Sequence, residues 1–382
     1  MKEYNGTIYR PPVEAIENID EEKFAKAFRR EARSIKKRSR EMARTIFDEV
    51  KLNKMTLKNR LVRSATWEAL ADNDGAPTTE QVEIYRELAK GGIGMIITGF
   101  TTVDEYDNYF GGMARISSDE LGEKWRVVAD VAHAENVPIV MQLALGEFVR
   151  RGRELEPDDL SKEQIAEVIE LFANAAERAA KAGFDGVQIH AAHNFYLSRF
   201  ISPAYNHRQD EYGGSVNKRA RILTEVLEKI RAKAPDIHVT MKINCSDFMQ
   251  GGLSPEDSLE TILIMEKAGL DSVEISGNGT SVSGLKAGRN EGYFAPFARE
   301  LKKHSKLPVI LVGGHRSIEC MNEIVENDGI EMLSLSRPLI REPNLINRWQ
   351  AGDKTPAKCV SCNACYRTPG HKCIFVLRGV DG

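Results

Sequence analysis

Two groups of residues carry most of the chemistry this sequence offers. The first is His190-Ala-Ala-His193, at the end of the apolar run FDGVQIHAA (184–192). Two imidazoles three residues apart, just past a strand, can converge on one point. Neutral or charged, each can donate to a carbonyl oxygen or an oxyanion. The pair therefore reads as a substrate-binding site. Simple packing and a metal site are the alternatives, and a metal would want a third ligand such as a carboxylate or another histidine.

The second group is C-terminal. Cys359, Cys362, Cys365 and Cys373 form the pattern C-x2-C-N-x2-C-x7-C, while Cys245 and Cys320 stand alone. Disulfide frameworks belong to short secreted chains; clustered cysteines elsewhere hold metal or do redox work. Four thiolates suit a [4Fe–4S] cluster or tetrahedral zinc, against free or vestigial thiols.

These residues need a scaffold, and the sequence describes one. Short apolar or β-branched runs recur at 61–67, 93–100, 137–144, 184–192, 237–244, 270–277, 307–314 and 329–336. Longer amphipathic stretches separate them, such as 160–183 and 254–269. Each of these two opens on a serine box, Ser161 with Gln164 or Glu163 and Ser254 with Asp257, and stops at a glycine, Gly183 and Gly269. Strands alternating with helices imply parallel pairing through right-handed crossovers, and eight such units predict an α/β fold, a (β/α)8 TIM barrel. An open doubly wound sheet is the runner-up, but it would want a G-x-G-x-x-G turn after its first strand.

In such a barrel the active site lies at the C-terminal ends of the strands. The runs end on Ser64-Ala65-Thr66, Thr98-Gly99, Gln142, His190 and His193, Lys242, Ser276-Gly277, Gly313-Gly314 and Ser334 to Arg337. That is one polar mouth on an apolar barrel. Gly313-Gly314 opening a helix, with Ser336-Arg337 after the last run, reads as a phosphate site rather than an ordinary turn with a surface arginine.

The rest of the composition excludes more than it assigns. Lysine and arginine number 53 against 56 acidic residues, so nothing drives the 382-residue chain toward nucleic acid or an anionic membrane. No apolar run approaches the ~20 residues of a membrane span. The N-terminal MKEYNGTIYRPPVEAIENID has no apolar core or cleavage signature, so a cytoplasmic protein is expected. Three segments are expected: a basic helical extension over 1–46, the barrel over 47–352 and a Cys-rich tail over 353–382. The extension carries ten Lys or Arg between Lys23 and Arg44 and a sparse apolar stripe. It reads as a solvated helix across the barrel or a contact with a partner or second subunit.

The segment HAAHNFYLSRFISPAYNHRQDEYGGS (190–215) closely resembles the old yellow enzyme family of FMN-dependent ene-reductases. LKNRLVRSATWE (57–68), Gln142 and SRPLIREP (336–343) match the same family in order and spacing, over about residues 47–350. The resemblance implies FMN at the barrel mouth and NAD(P)H as reductant. Ser64, Ala65 and Thr66 would lie along the flavin and Gln142 would bond its pyrimidine edge. Lys242 would stand where the family usually carries arginine, favouring an anionic reduced flavin. Gly313, Gly314, Ser336 and Arg337 would hold the phosphate. His190 and His193 would bind the carbonyl of an α,β-unsaturated substrate. Three departures follow: Phe195 replaces the usual proton-donor tyrosine, Trp67 stands where relatives often have Cys or Thr, and Asn194 replaces a turn glycine. The first leaves open a flavin dehydrogenase or demethylase. The cysteine pattern is similar to the iron–sulfur motif of 2,4-dienoyl-CoA reductases and trimethylamine dehydrogenase. It adds a third reading, a component exchanging electrons with a partner protein. A metal-dependent barrel hydrolase, with metal at the histidine pair, is the weakest alternative. A small-molecule substrate is expected throughout, and a homo-oligomer is compatible.

Overall fold

The computed structural model describes residues 44–279 and 281–380. Eight parallel strands close into a ring: β1 (Leu61–Arg63), β2 (Met95–Ile97), β3 (Ile139–Ala144), β4 (Gly186–Ala191), β5 (His238–Asn244), β6 (Ser272–Ser276), β7 (Val309–Val312) and β8 (Met332–Leu335). Each pairs with the next and β8 pairs with β1. Closure satisfies every strand on both sides, as a barrel must. The expected (β/α)8 fold is present.

Parallel neighbours need crossovers. These are supplied by α1 (Thr79–Lys90), α2 (Arg126–His133), α3 (Lys162–Lys181), α4 (Arg221–Lys233), α5 (Pro255–Lys267), α6 (Ala295–His304) and α7 (Ile318–Asn327), with α8 (Leu345–Gln350) after the last strand. Helix starts follow the sequence signals. Ser161 and Gln164 form a reciprocal capping box on α3, and Ser254 accepts from the Asp257 amide on α5. Gly183 and Gly269 both adopt φ +93°, the left-handed stop that glycine takes without strain.

Two apolar layers result. Helix faces and the outer faces of the strands form a large shell containing Trp125, Phe172, Phe200 and Trp349. Inside the ring, Val62, Met95, Ile97, Val140, Ile310 and Met332 fill the lower barrel. A short antiparallel pair, Val50–Lys51 with Thr56–Leu57, plugs that end with Val50, Leu52, Met55 and Leu57. The upper barrel, by contrast, is polar, and there the site lies.

The basic extension expected over 1–46 falls outside the described residues as far as residue 43. From Thr45 the chain is barrel: Ile46 is fully buried and its amide donates to Asn322 Oδ1 at 2.9 Å. The Cys-rich tail packs on the barrel through Trp349 Nε1, which donates to the Thr355 carbonyl, and Arg316 Nε, which donates to the Cys359 carbonyl.

The end of α1 packs closely on the segment after β8. A Cβ on Gly91 would lie 1.9 Å from the Pro343 carbonyl oxygen, although its φ of −69° suits any residue. Backbone cannot yield as a side-chain tip can. Gly91→Ala should therefore lower stability by about 1–3 kcal/mol, read as a lower urea midpoint; an unchanged midpoint would show this contact to be loose.

Candidate active site

The polar upper barrel is built around one buried carboxylate. Glu274 on β6 is fully buried. It accepts from Ser64 Oγ (2.7 Å), Ser334 Oγ (2.7 Å) and Gln188 Nε2 (3.0 Å), and Lys242 Nζ stands 3.2 Å away. Burial works to raise its pKa, but Lys242 and the three hydrogen bonds outweigh that and hold it below the usual carboxylate range. Register explains the meeting: His190, Lys242 and Glu274 are direct partners across β4, β5 and β6, and Gln188 faces Gln142 across β4 and β3.

This network orients Gln142. Because Gln188 Nε2 donates to Glu274, Gln188 Oε1 is the acceptor turned to Gln142 Nε2, at 2.7 Å. Gln142 is left with its carbonyl oxygen and one N–H. That donor–acceptor edge complements an imide such as the pyrimidine edge of a flavin.

Above the network is a cavity of about 410 Å³. Ser64, Ala65, Thr66, Gln142, His190, His193, Lys242, Gly314, Ser336 and Arg337 all line it. Of the residues singled out as cofactor or substrate contacts, Gly313 alone is off the lining, one residue back. The segment after β1 is laced to the end of β8: Thr66 Oγ1 shares a 2.8 Å hydrogen bond with Ser336 Oγ, and Arg63 Nη1 donates to the Ser336 carbonyl at 2.7 Å. Gly314 (φ +79°) is required, since a Cβ there would sit 2.9 Å from the Tyr293 ring.

The histidine pair sits as its spacing implied, with ring centroids 5.2 Å apart. Burial first, then the partner ring and Lys242, hold His190 well below its ordinary pKa. Burial, with Lys242, lowers His193 to about 3. Both are neutral, and each keeps one N–H donor. His193 Nε2 is 2.9 Å from Ser276 Oγ, and buried His190 Nδ1 has no partner. His193 and Asn194 both take φ +61°, so the turn runs left-handed without its glycine. The Asn194 side chain is held there by Asn278 Nδ2, which donates to Asn194 Oδ1 at 3.1 Å.

Phe195 lines the cavity and packs against His190 at 4.3 Å. Tyr196 points elsewhere, its hydroxyl donating to the Leu155 carbonyl at 2.5 Å. One expectation needs correcting. Gly313-Gly314 does not open a helix; α7 begins only at Ile318, after a short loop. Arg337 lines the cavity and is also tied to its neighbours: its Nη1 donates to the Val282 carbonyl at 2.9 Å and to Asn363 Oδ1 in the tail.

Sequence reasoning missed several lining residues. Arg316 follows the glycine pair directly, and Cys365, Tyr366 and His371 come from the tail. It also missed Glu274, whose signal was a lone carboxylate inside an apolar run.

All four tail cysteines line one small cavity beside the main one, and Cys365 and Arg337 border both. Burial and the neighbouring Cys359 push the Cys365 thiol up. Among the described residues no three histidine, cysteine or carboxylate side chains already stand as a metal-ligand set.

A model of the NADH:flavin oxidoreductase / NADH oxidase family matches residues 45–355. The chain belongs to this family. It is an FMN-dependent NAD(P)H oxidoreductase. The 4,4'-dithiodibutanoate disulfide reductase of Rhodococcus erythropolis is 29% identical, covering 86% of this chain and 94% of its own length. A metal reductase of Desulforamulus reducens is 28% identical over 83% of this chain, which spans about half (50%) of that relative. Among solved structures, the old yellow enzyme homologue from Zymomonas mobilis superposes with a TM-score of 0.69 at 22% identity, covering 83% of this chain and 95% of that one. No helix among the described residues is long and apolar enough to cross a membrane.

The side chains of this flavin oxidoreductase fit an anionic, hydrogen-bonding cofactor. Lys242, Arg316 and Arg337 line the cavity and, among the described residues, no Asp or Glu does. Neutral buried histidines also carry a stability signature. Their folded pKa values lie below the unfolded value near 6.5, so the unfolded chain alone takes up protons as pH falls through that value. Stability should be fully present above pH 6.5 and fall below it, by up to about 1.4 kcal/mol per pH unit for each such histidine. Urea midpoints between pH 7.5 and 5 test this: a falling midpoint with a shallower fall in His193→Gln is expected, and identical slopes would refute it.

Proposed function

We propose that this oxidoreductase reduces the C=C bond of an α,β-unsaturated carbonyl compound, with NAD(P)H as the electron source. One observation carries the reading: a neutral histidine pair, His190 buried with one imidazole nitrogen unpartnered and His193 half-buried, on a cavity with no carboxylate among the described residues. Bound FMN would supply the two-electron relay, taking hydride from NAD(P)H and passing it to the β-carbon.

The chain's own residues do the rest. His190 and His193 donate N–H groups to the carbonyl oxygen and stabilise the negative charge that develops there. Gln142, fixed by Gln188, holds the pyrimidine edge. Lys242 lies beside it, its charge shared with Glu274. Ser64, Ala65 and Thr66 lie along the ring system. Gly313, Gly314 and Ser336, with Arg337 through its remaining donors, take the phosphate, and Arg316 adds a second cation. Phe195 carries no proton, so the proton for the α-carbon comes from elsewhere than this position.

The charge pattern also bears on the dehydrogenase and demethylase readings. Among the described residues, three cations and no carboxylate on the lining disfavour a cationic amine.

The four cysteines form a thiolate donor set suited to a [4Fe–4S] cluster. The shared border at Cys365 favours electron exchange with the flavin site, and hence a second role in passing electrons to a partner protein.

The test is the spectrum, metal content and turnover of anaerobically purified full-length protein. Flavin absorption, bound iron and NAD(P)H-driven reduction of 2-cyclohexenone are expected. Replacing both His190 and His193 with Ala should raise KM for the enone by about 100-fold while FMN stays bound. Protein that binds no added FMN, or that leaves 2-cyclohexenone unreduced, would overturn the reading.

A further inference from the structure

The x7 loop between the third and fourth cysteines, residues 366–372, does more than separate ligands. Its two ends, Cys365 and Cys373, line the cysteine cavity. Its first residue, Tyr366, and His371 near its end line the main cavity. One short segment thus forms a wall of both sites.

The loop is seated on the barrel at several points. His371 Nδ1–H donates to the Trp67 carbonyl at 2.7 Å, and its ring stands edge-on to the Trp67 indole at 4.8 Å. The Tyr366 hydroxyl shares a 2.5 Å hydrogen bond with Ser281 Oγ. Lys372 Nζ lies 2.5 Å from Glu80 Oε1 on α1. Within the loop, Thr368 Oγ1 reaches the carbonyls of Cys365 and Lys372, closing it on itself. Gly370 (φ +62°) rests against Leu70, where a Cβ would meet the side chain at 3.1 Å.

From His371 a chain of rings leads to the histidine pair. Trp67 contacts Phe110 at 4.9 Å and Phe100 at 5.4 Å, Phe100 contacts Phe195 at 5.2 Å, and Phe195 lies on His190 at 4.3 Å. Rings in contact shift together, because packed side chains leave no slack. The buried Trp67 Nε1 has no partner. The tail therefore sets the position of the aromatic surface on which a substrate would lie.

We propose that residues 366–372 form the substrate-selecting wall of the active site, and that a metal centre held by the four cysteines clamps this wall in place. The proposal rests on the ene-reductase and cysteine readings above. The substrate class follows from the lining: a flat, uncharged enone that lies along Trp67 and Phe110 and ends against His371. The cysteine centre then governs which substrate is bound as well as where electrons go.

The experiment compares the full-length holoenzyme with His371→Ala, Tyr366→Ala and Cys373→Ser. Four quantities are read: FMN per chain, iron and zinc content, the dissociation constant of 2-cyclohexenone from flavin absorbance, and the ratio of kcat/KM for 4-phenyl-3-buten-2-one over 2-cyclohexenone. The two alanine variants should retain FMN and metal, weaken 2-cyclohexenone binding, and raise the ratio by about tenfold. Cys373→Ser should lose metal, retain FMN and shift the ratio the same way. Wild-type selectivity in both alanine variants would overturn the wall. Wild-type selectivity in a Cys373→Ser protein that has lost its metal would overturn the clamp. A wild-type protein without iron or zinc would refute the cysteine reading and the clamp with it. A wild-type protein that reduces neither enone would instead refute the ene-reductase reading.

Discussion

The upper barrel depends on satisfying Glu274. A carboxylate buried in a barrel costs several kcal/mol unless it is paired and hydrogen-bonded. Glu274 meets that demand with groups from four other places on the ring: Ser64 after β1, Gln188 on β4, Lys242 on β5 and Ser334 on β8. Side chains alternate across a strand, so a one-residue slip of β6 would replace Glu274 inside the barrel with Val273 or Ile275. The four partners would then be stranded. The network thus enforces the register that also places Gln142 and the histidine pair.

The tail imposes a second constraint. Its contacts with the barrel join residues far apart in the chain, as in His371 with Trp67 and Tyr366 with Ser281. Arg316 and Arg337 both reach the cysteine segment, through the Cys359 carbonyl and the Asn363 side chain. The two arginines thus stand between two sites that would each carry negative charge when filled. A cation so placed stabilises both at once and discourages an unpaired charge in either.

Much of this was legible in the sequence, and the limits have a physical cause. The eight apolar runs and the serine boxes report local preferences, so the strands and the starts of α3 and α5 follow directly. The histidine pair was legible because both rings come from one short segment. The tie from Arg337 to Asn363 was not legible, because Asn363 belongs to a tail whose path the local pattern does not encode. Tyr366 and His371 were invisible for the same reason. Glu274 could have been found: a single acid inside LDSVEISG must face a partner, although only the closed ring shows which.

Trp67 carries one more consequence. The chain has three tryptophans, and the other two, Trp125 and Trp349, are packed away in the helical shell. Trp67 alone of the three borders the main cavity, where it meets His371 of the tail. The protein therefore contains its own optical probe. Emission from the two shell indoles forms a background, while the Trp67 contribution follows the occupancy of the barrel mouth.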